Sequence, residues 1–331
     1  MAGELWSGSV AFGKEATATY GTEVDATRIM YFRDPVLTRE REPRIHKFMT
    51  GTRDNTRQIT LGPELVGGTL VQPVSAECLE LLLLGLKGEV AAVGAQADKT
   101  YTFVPGSTAL NSATIEWNDG ARVWTALGMM VDTLKFAGSV SGESLLTATL
   151  FGKSMSIKAG TAGLKHGTPA VFEGWESQLL IDAAGTTPAT TKTGVLLSWD
   201  VTIANGLARK FTAANTLAPS AIITNEIEVT ASLVVEASAA QVATEYAAWD
   251  AATEKTVGLR FGANAVIGAT AAKETVEIDI PGKWSAVDLG QTDEGTRAYQ
   301  LTLNYVYNAT LTYGVQVVVT TARATAWAGR P

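Results

Sequence analysis

The chain has 331 residues, of which 26 are Lys or Arg and 33 are Asp or Glu, giving a formal net charge of −7 at pH 7. Charged residues make up only 18% of the chain, which favours a protein that buries surface in an oligomer, because interface centres are depleted of charge. The acidic balance disfavours tight nucleic-acid binding, which depends on clustered Lys and Arg. A single cysteine, Cys78, excludes an intrachain disulfide. No apolar run is long enough for a membrane-spanning helix, and Met1–Trp6 lacks the features of a signal peptide.

Alternating apolar and polar residues predict a mainly β protein. The alternating segments are residues 114–117, 196–203, 227–235, 276–280 and 298–312. The sequences Asn118-Asp119-Gly120 and Asn205-Gly206 follow two of them. Because Asp-Gly and Asn-Gly favour tight turns, we expect β-hairpins at these positions.

Two segments rich in helix formers predict α-helices, each directly after a strand. The first covers 76–86 after Ser75, and the second covers 239–250 after Ser238, with Gln241 at the spacing of a capping box. Each has apolar residues at positions i, i+4 and i+7, which predict a face packed on the core. These helix core residues are Leu79, Leu83 and Leu86 in the first helix, and Val242, Tyr246 and Trp249 in the second.

The two helices belong to a weak internal repeat. A shift of 163 residues places Leu70-Val71 on Leu233-Val234 and Ser75-Ala76 on Ser238-Ala239, and it brings the two helix faces into register. A second, shorter likeness joins Thr114–Trp117 to Thr275–Ile278. We therefore predict two tandem copies of one domain, residues 1–160 and 161–331, joined near residues 158–168.

Residues that would carry catalysis or hold a cofactor or metal are not evident in the sequence. The two histidines, His46 and His166, lie far apart in the chain. Cys78 lies among leucines, where a small core residue is the preferred interpretation. We expect no catalytic residue, no cofactor and no metal.

One segment, residues 33–57, is unusually rich in charge, with seven basic and four acidic residues. A solvated long loop is one interpretation. The alternative is an arm that contacts an acidic surface of another subunit through arginines that pair with carboxylates. The candidate contact residues are Arg39, Arg41, Arg44, Lys47, Arg53 and Arg57.

The N-terminal residues Gly13-Lys14-Glu15 and Tyr20-Gly21-Thr22 resemble the start of tail tube proteins of long, non-contractile-tailed bacteriophages (siphovirus type). In that family a Gly-(Lys)-Glu-Thr-Thr-Tyr-Gly-Thr motif leads into an extended arm, a strand and a charged loop. This chain has one extra residue within the motif. The hairpins, the helix after a strand and the long terminal strand extend the likeness over most of the chain.

The resemblance implies β-sandwich or split-barrel domains, each with one flanking α-helix, in rings that stack into the tail tube of a virion. The tube conducts DNA into the host without binding it specifically. Because the common family pattern is one domain per subunit in a six-fold ring, a tandem-domain chain implies three chains per ring, a pseudo-hexamer. The implied partners are other copies of the chain, the tape-measure protein and the tail terminator and tip proteins, and synthesis is expected in the host cytoplasm.

Two other classes share the β-rich pattern. A secreted or surface binding or adhesion module normally has a signal sequence and often disulfides. An outer-membrane barrel would show repeated strands of about ten residues flanked by aromatic girdles. The sequence favours the tail tube protein over both.

Overall fold

The computed structural model describes residues 8–16, 20–33, 35–49, 56–86, 98–106, 110–164, 170–192, 195–213, 216–236, 239–267, 271–293 and 296–323. The fold is mainly antiparallel β, as the sequence predicts. The first nine strands are β1 (Ser9–Lys14), β2 (Arg28–Met30), β3 (Val36–Lys47), β4 (Thr56–Pro73), β5 (Lys99–Phe103), β6 (Ala113–Asn118), β7 (Val123–Ser139), β8 (Leu145–Gly152) and β9 (Ser154–Lys158). The next nine are β10 (Gln178–Ala183), β11 (Leu196–Ala204), β12 (Ala208–Lys210), β13 (Ala221–Ile223), β14 (Glu228–Glu236), β15 (Lys255–Val266), β16 (Lys273–Asp293), β17 (Thr296–Tyr305) and β18 (Gln316–Thr321).

Some strands are half-buried because buried and more exposed side chains alternate along them. In β8 every second residue is buried, and β14 shows the same pattern. Such strands place one face on the core and the other toward solvent. The predicted hairpin at Asn118–Gly120 joins β6 to β7, and Gly120 takes the positive φ of 86° that glycine tolerates best.

The strands pair in two successive sets that follow the same order. The first set is β1-β6-β7-β8-β4-β3. The second is β10-β15-β16-β17-β14-β11. Each set also has a further strand beside the start of its third strand in this order, β9 on β7 and β18 on β16.

A β-bulge marks the same place in both sets. The β7–β8 register shifts between Val131 and Thr133, which lie opposite Leu150 and Thr149. The β16–β17 register shifts between Trp284 and Ala286, opposite Leu303 and Thr302. Adding 153 to each residue number of the first bulge gives the corresponding residue of the second. This gives a residue-by-residue correspondence of β7 with β16 and of β8 with β17.

The two sets share hydrogen bonds and one core. Strand β7 pairs with β11 of the second set, and β5 pairs with β18. Buried residues from both sets form a single cluster, in which the Phe136 and Phe261 rings stack at a centroid distance of 6.4 Å.

The helices have different surroundings. Helix α1 (Leu79–Leu86) is apolar all round except for Glu80, and all eight of its residues are buried. A helix without a polar face is expected to lie inside the core. Helix α2 (Ala239–Asp250) is rich in alanine and lies against β16. The first helix starts three residues later than predicted, because Ser75 Oγ accepts the N–H of Glu77 in a preceding turn.

Candidate assembly surfaces

The N-terminal motif folds around the carboxylate of Glu15, which is 1% exposed. One oxygen accepts the backbone N–H of Gly21 and the Ser112 hydroxyl, both at 2.7 Å. The other accepts the backbone N–H of Gly128 at 2.7 Å and the Thr114 hydroxyl at 3.2 Å. The motif glutamate therefore fastens the turn at Gly21 to β6 and β7.

Tyr20 completes this corner. Its ring lies against Gly128, where an added Cβ would come within 2.7 Å of the ring, and Gly128 has a φ of 65°. Lys153 Nζ lies 5.4 Å from the ring centroid and donates to the Tyr20 carbonyl at 3.2 Å. Burial, followed by the charge of Glu15, raises the pKa of the Tyr20 hydroxyl above its usual value. The motif residues Glu15, Tyr20 and Gly21 form one structural corner, whereas Gly13 and Lys14 lie in β1 and Thr22 is exposed.

The described part of the charged segment belongs to a β-hairpin. The interpretation of residues 33–57 as a long loop is therefore wrong. Strands β3 and β4 pair from Val36–Thr69 to Lys47–Thr56. Near its base, Arg39 Nε donates to Glu64 Oε1 at 2.8 Å, and Arg41 Nη2 donates to Glu64 Oε2 at 2.5 Å. Burial alone would raise the pKa of Glu64, but these two hydrogen bonds, one from the backbone N–H of Met155 and the charge of Arg39 together hold the pKa below its usual value.

The outer part of the hairpin is exposed on both faces. Arg44 and Lys47 are exposed, and His46 Nε2 lies 2.9 Å from Thr60 Oγ1. Ile45 and Ile59 lie directly opposite each other and are 56% and 62% exposed. Arg53 lies outside the described residues, and the side chain of Arg57 is not described. The predicted contact residues therefore divide into a pair held by Glu64 and an unburied outer group.

The predicted helix core residues differ in burial between the two helices. Leu79, Leu83 and Leu86 are at most 1% exposed. Trp249 is partly buried against the core, but Tyr246 is 42% exposed, which corrects the expectation that it is buried. The Tyr246 ring packs on Trp249 at a centroid distance of 5.2 Å. The side chain of Val242 and the predicted cap at Ser238 are not described.

Four buried charges, which the sequence analysis missed, join distant parts of the chain. Arg28 of β2 pairs with Glu77, and its Nε lies 3.4 Å from Glu80 Oε1. Arg323, after β18, donates to Glu80 Oε1 at 2.7 Å and lies 3.4 Å from Glu77 Oε2. Two acids among the helix leucines were the only signal in the sequence. These two arginines and two glutamates fasten β2 and the end of β18 to the start of α1.

A sequence profile of phage tail tube proteins matches residues 6–283. The chain belongs to the phage tail tube protein family. A search of curated proteins found no match to the chain. The matched region of the tail tube protein includes the N-terminal motif, the β3–β4 hairpin and both helices.

The tail tube family is structural. Burial raises the pKa of the Cys78 thiol to about 12, so the thiol is uncharged at neutral pH. Within the described residues there is no cluster of His, Cys, Asp and Glu that would hold a metal ion. His166 lies outside them. The described helices are too short or too polar to cross a membrane.

Proposed function

We propose that this chain is the subunit of the tail tube, and that it polymerises into stacked rings which form the conduit for DNA ejection. The observation that carries the proposal is the repeated strand order. Eight strands, β3-β4-β8-β7-β11-β14-β17-β16, form one continuous layer. Within the described residues this layer ends in two open strand edges. Such a layer is suited to closure with other copies, because unpaired edges otherwise promote uncontrolled association.

The proposed ring has three chains. The strands before residue 160 and those after it form sets of the same pairing order, which supports two tandem domains over 1–160 and 161–331. If each domain occupies one position of a six-fold ring, three chains complete the ring. The tape-measure protein would fill the tube, and terminator and tip proteins would close its ends.

The outer β3–β4 hairpin is proposed to contact the next ring. Arg44 and Lys47 are exposed there, and Arg53 and Arg57 belong to the same segment. Arg39 and Arg41 remain part of the proposal, but their ion pairs with Glu64 assign them first to holding the base of the hairpin. The acidic excess of the rest of the chain offers carboxylates to these basic residues, and it would repel DNA from the lumen so that DNA slides through.

Electron microscopy of the concentrated, purified protein tests this function. We expect long hollow tubes built of stacked rings, because the family role requires self-assembly. Discrete particles at all concentrations would contradict it and favour the alternative of a β-rich binding or adhesion module. Image averaging along the tubes would then count the chains in each ring.

A further inference from the structure

Both ends of the eight-strand layer have an open edge within the described residues. At one end, β3 pairs only with β4. At the other, the second half of β16, from Trp284 onward, pairs only with β17. Each edge has a row of backbone donors and acceptors available to another strand.

The middle of the layer already contains a junction between the two sets. There β7 pairs antiparallel with β11, from Thr133–Ala204 to Ser139–Ser198. The shared bulge makes β16 the counterpart of β7. The 163-residue shift of the sequence repeat aligns Gly68 of β4 with Ala231 of β14. Leu37 of β3 lies opposite Gly68, and Val201 of β11 lies opposite Ala231. Strand β3 is therefore the counterpart of β11. The two open edges are therefore counterparts of the two edges that meet in the middle.

Transferring the register of the internal junction gives a specific pairing. In the transferred register Ala286 lies opposite Glu40, as Thr133 lies opposite Ala204. Val287 lies opposite Arg39, as Leu134 lies opposite Ile203. Asp288 lies opposite Thr38, as Lys135 lies opposite Thr202. No like charges lie opposite each other in this register. A further register shift follows Asp288 in β16, so the transfer covers Ala286–Asp288.

Exposure of the paired residues agrees with this pairing. In the single chain Thr38, Arg39 and Glu40 of β3 are exposed. Ala286 and Asp288 of β16 are also exposed, and Val287 is half-buried. Both segments are therefore accessible to a strand of a second copy.

We propose that β3 of one copy pairs antiparallel with the second half of β16 of the next copy, in the register of the internal β7–β11 junction. The partner is a second copy of this chain, and the pairing rests on the proposed ring assembly. Every lateral junction around the ring, within a chain or between chains, would then have one strand geometry.

Paired cysteines test the register. Residues directly opposite in an antiparallel pair have Cα atoms about 4.5–5.5 Å apart, within the range of a disulfide. The variant Glu40→Cys/Ala286→Cys, assembled into tubes and oxidised, should form intermolecular disulfides in most subunits, and the ladder on non-reducing gels should end at three joined chains. The control Val36→Cys/Ala286→Cys moves one cysteine four residues along β3, about 13 Å, and should not cross-link. All three substituted positions are exposed in the single chain, and Cys78 is buried.

Amide hydrogen exchange on the unaltered protein provides a second measurement. Residues 36–40 and 286–288 should both become protected on going from subunit to tube. Tubes in which either segment stays unprotected, or in which the control cross-links as well as the matched pair, would overturn the pairing and leave the tube function standing. Protein that never forms tubes would instead contradict the proposed function.

Discussion

Glu15 shows how one residue of the family motif stabilises the N-terminal arm. Its carboxylate accepts four hydrogen bonds, two of them from backbone N–H groups. Replacing it with Ala leaves these donors without their acceptor in a buried corner. We expect Glu15→Ala to lower the free energy of unfolding of the unassembled subunit by about 3 kcal/mol, measured by denaturant unfolding.

Glu23 supplies the control for Glu15. It lies in the same arm and pairs with Lys158, but both side chains are about two-fifths exposed. Glu23→Ala should therefore cost less than about 1 kcal/mol. Equal losses for the two variants would mean that the Glu15 network does not stabilise the arm.

Asp279 is a buried carboxyl in β16. It lies opposite Gly258 of β15 and Gln316 of β18, and an added Cβ on Gly258 would be 2.8 Å from Pro188 and 3.2 Å from Asp279 Oδ1. Burial, followed by the negative charge of Glu277, raises the pKa of Asp279 to about 7, while Arg260 acts in the opposite direction. The folded protein thus holds a proton here that the unfolded chain loses at a pKa of 3.8.

This difference predicts the sign of a pH dependence. Between about pH 4 and pH 7 the folded state binds more protons at this site, so its contribution to stability falls as the pH rises and stays low above pH 7. Asp279→Asn removes the ionisation, and it should be more stable than the wild type at pH 8 by about 3–4 kcal/mol, with no gain at pH 4. Urea unfolding across this range measures it. Asp288→Asn, at an exposed site where a backbone hydrogen bond from Gly290 lowers the pKa, should show no such gain, and a flat difference for Asp279→Asn would refute the assignment.

At the scale of elements, the two helices differ in how much they contribute to the core. Leu83 is 1% exposed, so Leu83→Ala should cost about 2–5 kcal/mol of unfolding free energy. Tyr246 occupies the corresponding position of α2 but is 42% exposed, and its packing on Trp249 is worth about 0.5–1.5 kcal/mol. Thermal or denaturant unfolding of the two Ala variants in the unassembled subunit distinguishes these values. Similar losses would show that α2 is packed as deeply as α1.

Local sequence patterns predict where strands and helices lie better than they predict what packs around them. Alternation locates β14 because one face of this strand is buried and the other faces solvent. The sequence also locates both helices, but it equates Leu83 with Tyr246 because an i, i+4, i+7 stripe does not reveal what covers it. The apolar residues on all sides of α1 were the available signal for complete burial.

The single shift read from the sequence repeat does not align all of the corresponding strands. The 163-residue shift aligns β4 with β14, whereas the shared bulge requires a shift of 153 for β7 and β8. The apparent likeness of Thr114–Trp117 to Thr275–Ile278 joins β6 to β16, which have different places in the pairing order. An ungapped comparison misses such changes in connection length.

The sequence predicts which residues make up the candidate surfaces, but it does not predict which of them pair with each other. The charged segment stood out by its arginines, but the buried partner of Arg39 and Arg41 is Glu64, outside that segment. Likewise, Arg28 and Arg323 meet at α1 although they lie near opposite ends of the chain. Contacts between residues so far apart depend on the strand order, which single-sequence patterns do not specify.

At the scale of the whole molecule, charge favours stacking of copies through the outer β3–β4 hairpin. Residues 33–57 carry three more basic than acidic residues, while the chain as a whole has a net charge of −7. A positive hairpin on an otherwise acidic subunit suits a head-to-tail contact, which does not close on itself and therefore allows a polymer. Single exposed ion pairs contribute only about 0–1 kcal/mol, but each ring would repeat them.

The structure decides which substitutions test this contact. Replacing Arg39 or Arg41 would remove one of the two arginines that pair with the buried Glu64 carboxylate and destabilise the subunit itself. Arg44→Ser/Lys47→Ser removes two exposed charges and should leave unfolding unchanged while shortening the tubes seen by electron microscopy, an effect that high salt should reproduce in the wild type. Arg122→Ser/Lys210→Ser, which removes the same charge from exposed sites outside the hairpin, should leave tube length unchanged. If both double variants form tubes of normal length, the outer hairpin is solvated surface and the rings are held together elsewhere.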